Sequence, residues 1–455
     1  GTRVNSSGLV ETVELLGSNV VINGDFATDS DWLKETGWTI SGGSGNCDGS
    51  QTGISSLTPN AENVTNGVLY KATYTISNYS SGSIRIKLGN TGFGQYNSSN
   101  GTYTEYITAI ATSFPRSQIN ADVDFIGSID NVSVKEVTKN NLARVDYDGT
   151  ASSLLVEPER TNLVTYSSDF SESSWLRQNL TVELNSAVSP SGDSDASKLV
   201  EDSSNTTHRI LTSAGLTISG DVSISVFAKK GERNWIKLLN NNLVGAFFDL
   251  ENGVIGSVGG GIDAKIENYG NGWYRCSFTA TAVANERIGI YTSIDGINLT
   301  YQGDGTSGVY VYGATIELGS YPTSYIPTDG GTVTRVQDQY SKTGISNLIN
   351  SEEGVLFLEM AALSDDGTYR LISLEDNSDS STFAYLGYKD TSNTIRVRIE
   401  ISGSLSASME FVSSNETEFN KIAFKWKTND FALWVNGVEV ATDSSGVSFT
   451  ANTLD

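Results

Sequence analysis

The 455-residue chain holds a single histidine, His208, in the run Asn205-Thr206-Thr207-His208-Arg209-Ile210-Leu211. Ser–His–Asp and Cys–His catalysis both need an imidazole set against a nucleophile, and histidine-rich zinc sites need a second ring. One histidine on such a run reads as structural. The two cysteines, Cys47 and Cys276, have no CxxC spacing and fall in different parts of the chain, so no redox motif or disulfide framework is expected. Carboxylates remain. A pair flanking a glycosidic bond makes a glycosidase, and Asp249, Glu251, Glu359, Asp365, Asp366, Glu375 and Asp376 are the acids to weigh. The glycine-rich runs 259–261 and 303–308 have no strand–helix context and read as loops, not phosphate cradles. The chain is expected not to be an enzyme.

Aromatic residues offer binding chemistry instead. Sugars stack their apolar faces on aromatic rings while nearby polar groups fix orientation. Trp32, Trp38, Trp175, Trp273, Trp426 and Trp434 lie on strand-like patterns and are assigned to cores. Loop tips carry binding more often than strands do. Phe93 and Tyr96, in Asn90-Thr-Gly-Phe-Gly-Gln-Tyr-Asn, and Tyr301, just before Gln302-Gly-Asp-Gly, are therefore the candidate glycan contacts.

Charge excludes two classes of partner. Lys and Arg number 29 against 53 Asp and Glu, a net charge of −24. No basic stripe is present to displace counterions from phosphate, so nucleic acid is not an expected partner. No apolar run reaches the length of a membrane span, so membrane insertion is not expected either.

The elements that must position these residues are strands. Apolar residues alternate with period two at Tyr70–Ala72–Tyr74–Ile76, Ile84–Ile86–Leu88, Val222–Ile224–Val226 and Ile395–Val397–Ile399–Ile401. No segment sustains a 3.6-residue period, and Gly344–Ile349 is the best prospect for a helical turn. Asn436-Gly437 between β-type runs predicts a tight hairpin. The segment 18–33 repeats at 161–176, matching Asn19 to Asn162, Asp25 to Asp169, Phe26 to Phe170 and Trp32 to Trp175. Gly8-Leu-Val-Glu11 matches Leu154-Leu-Val-Glu157, and Thr-Arg-Val or Ala-Arg-Val recurs at 2–4, 143–145 and 334–336. A single core stops growing near ~250–300 residues, so several domains follow. The expected layout is a leading segment at 1–16, a first domain at 17–138 and a linker at 139–160. A second domain at 161–326, a linker at 327–345 and a third domain at 346–455 complete it.

Domains one and two resemble the jelly-roll carbohydrate-binding modules found beside glycoside hydrolases, through Asn19–Phe26 with Trp32–Ser41 and through Gly127–Val137. That resemblance implies a calcium ion between the first and last strands, held by Asn23, Asp25 and Asp130 in the first domain and by Asp169 in the second. Domain three resembles concanavalin-like (laminin-G-like) sandwiches through Lys421–Thr442. The glucanases of that fold carry an E-x-D-x-x-E type strand, which is absent here. The sandwich is expected to be incomplete at its C-terminal end. The phrases Gly1–Val13, Ser153–Leu176, Asn271–Thr279 and Glu317–Asp338 resemble those of bacteriophage tail, tail-fibre and other virion-surface proteins. The fold class expected is all-β, tandem jelly-roll sandwiches followed by a concanavalin-like sandwich. The function implied is a virion-surface structural protein, in a tail fibre or other extracellular appendage. It would contact other virion proteins, form a homo-oligomer in the particle and bind host-surface polysaccharide. The alternative is an accessory glycan-binding region of a secreted polysaccharide-degrading enzyme.

Overall fold

The computed structural model describes residues 1–140 and 142–455. The chain is all-β: its strands pair antiparallel, and one short 3₁₀ turn, Ser346–Leu348, falls inside the stretch expected to be helical. It divides into two compact units. Residues 12–144 form the first together with Gly1; residues 2–11 and 145–455 form the second.

The first unit is a sandwich. One sheet runs in the order Gly92–Phe93, Ile84–Leu88, Ser117–Ala121, Ser55–Pro59, Trp32–Lys34. The facing sheet runs Gly101–Thr108, Leu69–Ser81, Ile126–Thr138, Ser44–Asp48, Trp38–Ser41, with Leu15–Asn19 also paired to Ile126–Thr138. The period-two pattern explains the burial. Ile84, Ile86 and Leu88 are fully buried against Tyr70, Ala72, Tyr74 and Ile76 of the other sheet. Arg85 and Lys87 between them must then point outward.

The second unit contains a sandwich with the same connectivity. Its first sheet runs Trp175–Gln178, Arg209–Thr212, Gly289–Ser293, Trp235–Leu239, Gly245–Asp249, Val254–Val258. In both modules this sheet starts at the repeated tryptophan, adds the second strand, then the last, then the third and fourth. The facing sheet runs Leu180–Ala187, Ala196–Glu201, Gly308–Leu318, Asp221–Lys230, Trp273–Thr281, Asp263–Asn268. A further sandwich packs Glu353–Met360, Asn420–Lys427, Phe431–Val435 and Val438–Asp443 against Arg370–Asp376, Asp379–Tyr388, Thr394–Ile401 and Ser404–Val412. Its Asn436-Gly437 turn has φ of 51° and 84°, the two positive values that a type I′ hairpin requires.

The sequence repeat is a structural device. Asn19 Oδ1 accepts from the Val21 and Val134 amides, at 3.1 and 2.9 Å. Asn162 Oδ1 accepts from the Val164 and Ile316 amides, at 3.1 and 3.3 Å. In each module the asparagine pins the entering chain to the closing strand. Phe26 and Trp32 pack at 5.0 Å between ring centroids, and Phe170 and Trp175 at 4.8 Å. Trp32 Nε1 donates to the Asn23 carbonyl, and Trp175 Nε1 to the Tyr166 carbonyl.

The segments expected to be linkers are paired structure. Arg144–Asp148 and Ala151–Leu155 form a hairpin, and Val333–Arg335 pairs with Arg160–Asn162. Thr2–Val4 pairs with Val10–Thr12, and Val10 is buried with Phe227, Trp273, Tyr312 and Tyr325 of the second unit. The recurring motifs explain this order. The arginine of one motif holds the glutamate of the other, Arg3 to Glu11 at 2.7 Å and Arg335 to Glu157 at 2.6 Å.

Candidate functional site

The outward face of the sheet containing Ile84–Leu88 is the most site-like surface of the first unit. Register sets its rows. Leu33 lies opposite Thr58, Gln118 opposite Lys87, and Phe93 opposite Lys87 on the other side. One residue pair along, Ser56 lies opposite Asn120 and Asn120 opposite Arg85. Lys87 Nζ donates to Gln118 Oε1 at 3.0 Å, and Gln118 Nε2 donates to Thr58 Oγ1 at 3.0 Å. A polar ladder thus crosses the sheet.

The loop after Leu88 folds back along the edge strand. Asn97 and Ile84 exchange both backbone hydrogen bonds, and the Gly94 amide donates to the Ile86 carbonyl. Glu105 fastens the loop from behind, accepting from the Gln95 amide at 2.6 Å and from Asn97 Nδ2 at 3.3 Å. Asn97 Nδ2 also donates to the Tyr74 hydroxyl at 2.8 Å. This folding holds Phe93 and Tyr96 at the edge of the polar ladder with both residues 44% exposed. The Arg85 guanidinium lies over both, 3.9 Å from the Phe93 centroid and 4.3 Å from that of Tyr96. Lys87 Nζ lies 5.4 Å from the Phe114 centroid. Burial, then the neighbouring Arg85 charge, pulls the Lys87 ammonium below its ordinary pKa. Among the described residues no carboxylate forms an ion pair with either cation. The nearby acids are engaged elsewhere: Glu35 accepts from the Ser56 amide, and Asp122 from the Ser83 hydroxyl and the Asp124 amide.

Phe93 and Tyr96 are therefore brought together. Tyr301 is not: it is 5% exposed. Its hydroxyl donates to Glu201 at 2.7 Å and meets the Thr292 hydroxyl at 2.6 Å, and its ring packs 4.7 Å from His208. It offers no face to a sugar, because the loop after it folds inward on Glu201, which binds the Asp304 amide and Arg233. His208, fully buried there, has the structural place expected of it.

The residues named for calcium each bind within their own turns. Calcium takes six to eight oxygens. The entering chain does meet the closing strand, where the Val132 amide donates to the Gly24 carbonyl at 2.8 Å. However, the Asn23 side chain is spent on the Thr28 and Ser30 backbone, and its carbonyl on Trp32. Asp25 binds the Ala27 amide, Asp130 binds Asn131, and Asp169 binds the amide and hydroxyl of Ser171. Among the described residues no three His, Cys, Asp or Glu side chains gather as for a metal.

Six of the seven acids weighed for hydrolysis are bound locally; for Glu359 the structure shows only its backbone pairing with Lys421. Asp249 caps the turn at Glu251 and Asn252, and Glu251 pairs with Lys230. Asp366 pairs with Arg370, Asp365 binds Ser392, Glu375 binds Ser373, and Asp376 caps Ser378.

Sequence reasoning missed Arg85, Lys87, Phe114, Gln118 and Asn120. The signal was present in the polar half of each alternating strand: the buried set Ile84–Ile86–Leu88 fixes the outward set Arg85–Lys87.

No protein-family model matches the chain, and no curated protein matches it. Among solved structures, the N-terminal CBM22-1–CBM22-2 tandem domain of Paenibacillus barcinonensis Xyn10C is similar at 14% identity. It covers 68% of this chain and 99% of its own, with a TM-score of 0.23. At that identity and score the likeness carries no argument about function.

Proposed function

We propose that the chain is a non-catalytic glycan-binding protein, and that it displays its sugar site on the surface of a bacteriophage particle to attach it to host polysaccharide. The observation that carries the binding part is the placement of Phe93 and Tyr96. Two rings are held exposed at the end of a hydrogen-bonding ladder, which supplies both a stacking surface and orienting groups. The virion placement is supported by the resemblance of the phrases at 1–13, 153–176, 271–279 and 317–338, among which the Arg3–Glu11 and Arg335–Glu157 pairs form. Sugar arrays and affinity electrophoresis on host capsule or cell-wall polysaccharide test the reading. Phe93→Ala and Tyr96→Ala should each weaken retardation without lowering the melting temperature. Antibody to the chain should decorate virion appendages in electron micrographs. Label confined to the cell wall of uninfected cultures would place the protein in a secreted polysaccharide-processing system instead.

A further inference from the structure

The second module repeats the first module's face in register, although none of its members stood out in the sequence. Gln178 lies opposite Arg209, Arg209 opposite Tyr291, Tyr291 opposite Lys237, and Lys237 opposite Phe247. By strand order this row is equivalent to Leu33, Thr58, Gln118, Lys87 and Phe93. The lysine of the third strand faces the phenylalanine of the fourth in both modules. Lys237 Nζ lies 4.5 Å from the Phe247 centroid, and Lys87 Nζ lies 5.9 Å from that of Phe93. A second cation lies on an aromatic in each: Arg85 as described, and Arg209 with its guanidinium 5.2 Å from the Tyr291 centroid. Arg209 is held by Gln178 and by the Tyr291 hydroxyl, each at 2.6 Å.

Trp235 completes the face. Its ring lies against two glycines, since a Cβ on Gly296 or Gly256 would stand 2.6 or 2.8 Å from it. The absence of side chains at these two positions leaves room for the indole, and Trp235 is half-buried. Among the described residues neither Arg209 nor Lys237 forms an ion pair. The acids beside them are spent in turns, Asp249 as above and Asp295 on the Ile297 and Asn298 amides. Burial pulls the Lys237 ammonium below its ordinary pKa, as at Lys87. Unpaired cations kept partly desolvated are costly, and in a chain of net charge −24 they stand out from the surrounding field.

We propose that the second module carries its own glycan site, formed by Trp235, Lys237 and Arg209, and that it takes a sugar bearing an anionic group. Trp235 supplies the stacking face, and the two cations receive the carboxylate or sulfate. The inference rests on the glycan-binding reading above and adds a site and a ligand class to it. Stacking favours a sugar ring, and only two cations are available, too few for the counterion release that holds a nucleic-acid backbone.

Calorimetry on the full chain, with oligogalacturonate, its carboxyl-reduced form, a sulfated oligosaccharide and single-stranded DNA as probes, tests this. Two sites per chain are expected for an anionic oligosaccharide. Trp235→Ala and Lys237→Gln should each remove one of them, Lys237→Arg should retain it, and circular dichroism should show each variant folded. Preference for the sulfated probe over the uronate also supports the proposal and identifies the anion. Equal binding of the carboxyl-reduced probe, or tighter binding of DNA, overturns it. A single site that is lost in Phe93→Ala and unchanged in Lys237→Gln overturns the second site and leaves the first-module reading intact. No binding of any saccharide overturns both.

Discussion

Glu157 and Arg335, 178 residues apart in sequence, meet at 2.6 Å with 4% and 5% of their surfaces exposed. The pair closes a network: the Glu157 amide donates to Asp338, the Asp338 amide donates back to the Glu157 carbonyl, and Ser324 donates to Glu157. Arg335 also donates to the Pro158 carbonyl. Removing one member of a buried, hydrogen-bonded pair strands the other, at a cost of about 3–5 kcal/mol. Arg335→Ala should lower the stability of the second unit by that amount in urea denaturation. Arg3 and Glu11, paired by the same motifs but only half-buried, should cost under about 1 kcal/mol. Equal losses at the two clasps would show that burial does not set their worth.

Tyr301 and Tyr96 should separate stability from binding. Tyr301→Phe removes a hydrogen bond to the buried carboxylate of Glu201, worth about 1.5–3 kcal/mol, and should leave saccharide affinity unchanged. Burial pushes the Glu201 carboxyl up, but Arg233, Tyr301 and the Asp304 amide outweigh it, so Glu201 is held below its ordinary pKa as an acceptor. Tyr96→Ala should do the reverse. Loss of binding in Tyr301→Phe at unchanged stability would return that residue to the list of contacts.

These two tyrosines show what the sequence could disclose. Both stand next to glycine-rich turns, and the direction in which a loop folds depends on distant partners: Glu105 behind Tyr96, Glu201 behind Tyr301. Period-two alternation was enough to give strands, the all-β class and five of the six tryptophans assigned to cores, because burial on a pleated strand is a local property; Trp434 is the exception, only half-buried. The Asn436-Gly437 hairpin was likewise local. The clasps were not, since nothing near Glu157 indicates that Arg335 returns to it. Nor was the second face, whose cations come from strands 209–212 and 235–239 brought together by the sheet order.

The repeated asparagines should differ in worth. Asn162 donates to the Ala314 and Ile326 carbonyls besides accepting two amides, and it is fully buried. Asn19 accepts two amides from a more exposed position. Stranded buried polar groups cost about 1–3 kcal/mol each. Asn162→Ala should therefore destabilise its module more than Asn19→Ala does, as read from the two melting transitions. The opposite order would mean that the closing strand is held mainly by its ladder.

Metal removal should be silent. Asn23, Asp25, Asp130 and Asp169 serve their own turns, so chelator and millimolar calcium should give the same melting curve. A rise with calcium that Asp130→Ala abolishes would restore the ion to the first module.

Glu317 gives the chain a pH dependence of known sign. Its carboxyl is fully buried on the strand Gly308–Leu318, with both oxygens on Thr323. Burial pushes its pKa above the ordinary range, against the opposing pull of the Thr323 amide and the Arg275 and Arg335 charges. The folded state then holds the proton more tightly than the unfolded state. The contribution is fully present below the unfolded value, near about 4.3, and is lost as pH climbs through the folded one. Glu317→Gln keeps one acceptor for the amide and one donor for the hydroxyl but cannot ionise. Its melting temperature should match wild type at pH 4 and exceed it increasingly at higher pH, by a few degrees at pH 8 for each ~1 kcal/mol. Parallel curves from pH 4 to 8 would mean that Glu317 binds its proton alike in the folded and unfolded chain, and would remove this dependence.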